Sequence, residues 1–166
     1  MEGVMIDAKI VEKTDHDERA IVAMVEHAKR TAKQSGSRLT AIREHVYVSL
    51  LRSGQPMKAY DILDTLEGIG AQNPPTVYRA LDWLIKSGLV RKMSTVSKFV
   101  ATPPDAPSDS IAYLLCRQCG QAEVVNIGAL GQFLRATAKE KGFREEETVI
   151  ELMGLCETDR CSESQN

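Results

Sequence analysis

Asn73-Pro74-Pro75-Thr76-Val77-Tyr78-Arg79-Ala80-Leu81-Asp82-Trp83-Leu84 is the stretch whose reading decides the fold. Asn73 suits the N-cap of a helix and Pro74 its first position. Pro75 in the next costs little, because the first helical amides have no intrahelical acceptor. Val77, Leu81 and Leu84 recur at helical spacing as a buried stripe, Trp83 reads as core, and Gly88 stops the helix. Opposite the stripe stand Tyr78, Arg79, Asp82 and Lys86, with Thr76 in the first turn. An arginine donates a fork of hydrogen bonds to guanine or phosphate, and a tyrosine adds a hydroxyl and a flat ring. At the start of a helix that follows a helix and a turn, the pair suits the major groove of DNA. The competing reading packs Tyr78 on a neighbouring helix and pairs Arg79 with Asp82.

Upstream, three shorter signals precede this helix. Ile21, Val22, Val25 and Ala28 predict an amphipathic helix from about Asp17 to Lys33, capped by Asp15 or Asp17. Thr40 caps a second helix with Ile42, Val46, Leu50 and Leu51 on one side and Gly54 as its stop. Ala59, Ile62, Leu63 and Leu66 make a short third helix that closes near Gly68. Downstream the period changes: Leu89 to Met93 and Lys98 to Ala101 are β-type runs joined by Ser94-Thr95-Val96-Ser97, a two-stranded hairpin. Helices followed by such a hairpin predict a winged helix-turn-helix over residues 1–101.

Residues 102–110 carry three prolines and read as a linker. Residues 111–166 then form a second, smaller α/β unit, so the fold class is α+β. Strands are expected at Ile111 to Leu115, Ala122 to Val125 and Thr148 to Met153, with a helix from about Gly128 to Lys141. So small a unit cannot cover both faces of its sheet, which suggests dimerisation.

All four cysteines lie in two close pairs, Cys116 with Cys119 and Cys156 with Cys161, separated by 36 residues. Four thiolates at this spacing are a ligand set for a tetrahedral structural Zn2+, about one per chain, and Gly120 allows the backbone to turn under the metal. Disulfides would suit a secreted chain, but the start carries acids and no sustained apolar run, so a cytoplasmic location is expected. Four thiol ligands also leave the metal closed to water, which argues against a zinc enzyme and for no enzyme at all.

The formal net charge of -2 hides an asymmetry: residues 28–98 hold 12 lysines and arginines against 5 acids, while both ends are acidic. A basic middle fits a polyanion-binding module. No run approaches the ~20 apolar residues of a membrane span, so no membrane partner is expected.

Pro74 to Leu84, with Arg38-Leu39-Thr40 and Ala59-Tyr60-Asp61-Ile62-Leu63 upstream, resembles the ferric uptake regulator superfamily, and within it looks most like the zinc uptake regulator branch. The resemblance runs from about residue 20 to residue 161. It implies a homodimeric repressor of transcription that binds double-stranded operator DNA through an N-terminal winged helix and dimerises through its C-terminal unit. Carried over residue by residue, it implies that Tyr78 and Arg79 contact the operator. It further implies that Arg43 and Lys58 touch the backbone or minor groove, and that Cys116, Cys119, Cys156 and Cys161 hold the structural zinc.

The sensing site of the family does not carry over. Arg91 stands where the zinc branch has a His, Ala101 or Thr102 where it has a Cys, and Ile111 and Tyr113 at further ligand positions. Val124 stands at an expected Glu with Glu123 beside it, and Glu147, Thr148 and Met153 replace further histidines. His16, His27 and His45 all precede the fourth helix and read as ordinary surface or core residues. The regulatory metal site is therefore expected to be degenerate, with only carboxylates such as Asp105, Asp109 and Glu123 nearby, a poor set for zinc. The alternative function is a thiol-based redox regulator in which oxidation of the cysteines releases zinc.

Overall fold

The computed structural model describes residues 18–68, 73–103, 111–146 and 148–157. Asp15, His16 and Asp17, most of the linker, Glu147 and Cys161 lie outside the described residues. The chain divides into two compact units, and the division falls within the proline-rich stretch.

The first unit begins with α1 (Glu18–Gln34), α2 (Ala41–Ser53), α3 (Ala59–Asp64) and α4 (Pro74–Lys86). Local chemistry fixes their ends. The Thr40 side chain accepts from the Arg43 N–H at the start of α2, and Gly54 closes that helix in the left-handed conformation at φ 58. At the start of α4 the Asn73 side chain accepts from the Thr76 N–H, with prolines in the first two positions. Gly88, at φ 71, hands the chain from α4 to the strands β1 (Val90–Met93) and β2 (Lys98–Ala101). These pair antiparallel, from Val90 opposite Ala101 to Met93 opposite Lys98.

The core of this unit is the convergence of the apolar stripes: Ile21, Val25 and Ala28 from α1, Val46, Tyr47, Leu50 and Leu51 from α2, Ile62 from α3, and Val77, Leu81 and Leu84 from α4. Phe99 of β2 joins the same cluster. The loop between α2 and α3 is sewn to the hairpin: Met57 and Phe99 exchange backbone hydrogen bonds of 2.9 and 2.8 Å. Helix α3 is shorter than its apolar pattern suggests. The Thr65 hydroxyl bonds back to the Ile62 carbonyl at 2.7 Å, and buried Leu66 falls in the following turn.

The second unit holds β3 (Ile111–Cys116), β4 (Ala122–Asn126), α5 (Gly128–Glu140) and β5 (Glu151–Gly154). Strand β3 is central, antiparallel to β4 and parallel to β5. Its Ile111, Ala112, Tyr113 and Leu115 are buried. The last strand starts three residues later than the expected Thr148, because parallel pairing sets Glu151 opposite Tyr113. Phe133, Leu130 and Leu134 on α5, Leu114 on β3, and Leu152 and Met153 on β5 are all exposed within the chain.

Candidate functional site

Three of the five residues expected to meet DNA gather in one place. Thr76 and Arg79 of α4 and Arg43 of α2 line an open concavity of about 160 Å³, together with Thr40, Ile42 and Ala80. Two arginines and two threonines form its polar wall, with no acid among them. Tyr78, 44% exposed, and Lys58 at the head of α3 are not part of that wall. The alternative pairing of Arg79 with Asp82 is not formed: among the described residues Arg79 makes no ion pair. Nor is Tyr78 packed away.

Each side chain has a structural reason for its place. Thr76 donates its hydroxyl to Asn73 Oδ1 at 2.6 Å, which fixes the first turn of α4. The Lys58 backbone N–H is taken by Asp61 Oδ2 at 3.2 Å, while its residue stays exposed. Arg43 is only half exposed. Its guanidinium lies over the Trp83 ring, 4.3 Å from the centroid, and Nη1 donates to the Arg38 carbonyl at 2.8 Å. Trp83 packs on the core as expected, and its Nε1 also donates to Ser37 Oγ at 3.0 Å. The sequence reading missed this stack, since no local spacing links α2 to α4. It also passed over Tyr60, which is 62% exposed on α3; its position off the Ala59/Ile62/Leu63 stripe was the available signal.

The second unit brings Cys116, Cys119 and Cys156 together, their sulfur atoms all within 4.8 Å of one another. Cys156 Sγ lies 3.5 Å from Cys116 Sγ and 3.7 Å from Cys119 Sγ. A disulfide needs ~2.05 Å, whereas sulfurs on a tetrahedral zinc with ~2.3 Å bonds stand ~3.8 Å apart. The spacing thus fits a shared metal rather than a bridge. Gly120, at φ 73, makes the tight turn, and its N–H donates to the Cys116 carbonyl. The Cys116 thiol is pulled from 9.0 to about 5, chiefly by a backbone hydrogen bond from Cys119 and then one from Cys156, against a smaller opposing effect of burial. The shift favours the thiolate, the form a metal takes.

Several positions at which the resemblance leads one to expect sensing ligands are spent on packing. Ile111 and Tyr113 are buried in β3, and Arg91 is 8% exposed in β1 opposite Val100. His45 bonds its own helix at Ala41, and His27 lies beside Thr31. Among the described residues the three cysteines are the one cluster of three or more His, Cys, Asp or Glu within metal reach. No described helix is long and apolar enough to cross a membrane.

An α+β chain of two units, one helical with an exposed Tyr-Arg face and one bearing a three-cysteine cluster fit for zinc, is the class defined by fold and site. Residues 34–153 match the model of the ferric uptake regulator family, and the chain belongs to that family, whose members are transcription regulators and not enzymes. It is 32% identical to the zinc uptake regulation protein of Escherichia coli (strain K12) over 135 residues, covering 80% of this chain and 79% of the relative. It is 27% identical to the peroxide operon regulator of Bacillus subtilis (strain 168) over 146 residues, covering 86% and 96%. A zinc uptake regulator solved in complex with zinc and DNA superimposes with a TM-score of 0.76 at 30% identity, covering 86% of this chain and 95% of that one. Holo XcZur gives 0.71 at 36% identity, covering 85% and 98%.

Proposed function

We propose that this chain is a cytoplasmic, homodimeric repressor of transcription that binds double-stranded operator DNA. Residues 1–101 act as a winged helix-turn-helix, 102–110 as the linker and 111–166 as the dimerisation domain. The observation that carries the reading is the face of α4, where Tyr78 and Arg79 stand exposed and Arg79 shares a concavity with Arg43, in a fold shared with a regulator solved on DNA. Helix α4 enters the major groove, Arg79 and Tyr78 read bases, Thr76 and Arg43 face phosphates, and Lys58 meets the backbone. The exposed Leu130, Phe133, Leu152 and Met153 become the buried face of the dimer.

Cys116, Cys119 and Cys156 fit zinc by geometry and by the shift that favours the Cys116 thiolate, and Cys161 supplies the fourth thiolate. When bound, the metal ties the C-terminal segment to the β3–β4 turn and stabilises a unit whose own core is small. The regulatory metal site of the family is degenerate here, because its positions hold Arg91, Ile111 and Tyr113. Selection of bound fragments from a random duplex library tests the reading: one enriched palindromic sequence protected by the dimer is expected, and no enrichment would overturn it.

One observation favours a second reading. Cys156 Sγ lies 3.5 Å from Cys116 Sγ, so peroxide, itself reduced to two waters, oxidises the two thiols to a disulfide and frees any zinc they hold. Zinc counted against added peroxide separates a switch from a static staple.

A further inference from the structure

Arg43 is held by two restraints that act on different parts of its guanidinium. Trp83 lies under the plane at 4.3 Å, and the Arg38 carbonyl takes Nη1 at 2.8 Å. The remaining donors, Nε and Nη2, have no partner among the described residues. The Trp83 ring is itself fixed, by the 3.0 Å bond from Nε1 to Ser37 Oγ and by packing on the core. Arg43 and Arg79 both line the concavity, whose polar residues are otherwise the two threonines.

A free arginine loses much of its rotamer freedom when it meets a phosphate, and that loss weakens binding. An arginine already stacked and hydrogen-bonded has lost that freedom on folding. A tryptophan chosen only to fill space would need neither a cation on its face nor a partner for its N–H. We propose that Trp83 is a positioning residue for DNA binding: its ring holds the Arg43 guanidinium at the concavity beside Arg79, so that Arg43 meets a backbone phosphate in a fixed geometry while Arg79 is left to the bases. The proposal rests on the DNA-binding reading above and adds to it the residue that prepares the phosphate contact.

A double-mutant cycle on the full chain tests it, with a short fluorescent duplex of mixed sequence as the probe, since a phosphate contact is independent of sequence. Anisotropy titrations across a salt series give both affinity and the slope of log K against log salt. Arg43→Ala should reduce that slope by about one. Trp83→Leu should leave the slope unchanged and weaken binding by about three- to tenfold while Arg43 is present, but by less than about twofold in the Arg43→Ala background. If Trp83→Leu does not fold, Trp83→Phe keeps a ring with a weaker face and should show the same dependence on Arg43 at about two- to threefold. Equal losses with and without Arg43, or no loss at all, would overturn the proposal while leaving DNA binding intact. A wild-type chain that binds no duplex at low salt would remove the DNA-binding reading and this inference together.

Discussion

Replacing Arg79 by alanine removes a fork of donors from the exposed face of α4 and nothing from the core. Under the proposed function, Arg79→Ala weakens binding to the selected operator by about 1–3 kcal/mol and relaxes specificity, whereas Lys58→Ala weakens binding to all duplexes about equally. Competition titrations with operator and scrambled duplexes check both. Unchanged operator affinity in Arg79→Ala would sink the assignment of α4. A different single-residue test lies inside the core. Tyr47 is fully buried, and its hydroxyl has no hydrogen-bond partner among the described residues. Tyr47→Phe removes that stranded hydroxyl and should stabilise the fold by about 1 kcal/mol. Burial also pushes the Tyr47 phenol from 10.0 up to about 12. The raised value means the unfolded chain loses this proton first, so the parent loses stability as pH rises from about 10 to about 12, and the variant does not lose this contribution. The gap between them in denaturant melts should widen over that window, by up to about 2–3 kcal/mol. Helical spacing was enough to place Arg79 outward and Val77 inward. It could not pair Arg43 with Trp83, because a cation over a ring joins α2 to α4 through space.

Elements were legible where the signal is local. Thr40 and Asn73 announce α2 and α4 because a capping side chain acts on amides only two or three residues away. Asn73 Oδ1 serves both the Thr76 N–H and the Thr76 hydroxyl, so Asn73→Ala should cost about 1–2 kcal/mol in chemical denaturation. A neutral result would mean that the two prolines, not the cap, set the start of α4. Strand β5 was misplaced for the opposite reason. Its register comes from parallel pairing with β3, far away in sequence, and Tyr113 already bonds the Ile150 carbonyl before the strand proper begins. The two cysteine pairs were legible in the sequence, but not which sulfurs would meet: Cys156 comes within 3.5 Å of Cys116 and 3.7 Å of Cys119, while Cys161 lies outside the described residues.

For the whole molecule, the cysteine cluster and the open apolar surface of the second unit point the same way. Under the proposed function, with about one structural zinc per chain, Cys116→Ser should remove that zinc and destabilise the unit by several kcal/mol, as read by metal analysis and thermal melting together. Zinc-free protein with native melting would refute the structural role. Once that zinc is in place, further micromolar Zn2+, Fe2+ or Mn2+ should change operator affinity by less than about tenfold, ~1.4 kcal/mol. A metal shifts an equilibrium only by its differential affinity for the two states, and under the proposed function the positions expected to sense metal hold Arg91, Ile111 and Tyr113. A hundredfold rise across buffered zinc would show a replacement site. The reciprocal hydrogen bonds between Met57 and Phe99 carry a mechanical consequence of their own. Phe99 lies near the end of the helical unit, and Lys58 follows Met57 directly, so these two bonds join the hairpin to the residue before the head of α3. A displacement of β2 is therefore shared with the chain beside Lys58 through hydrogen-bonded backbone as well as through the core that Phe99 joins, while α4 keeps its own anchorage at Asn73.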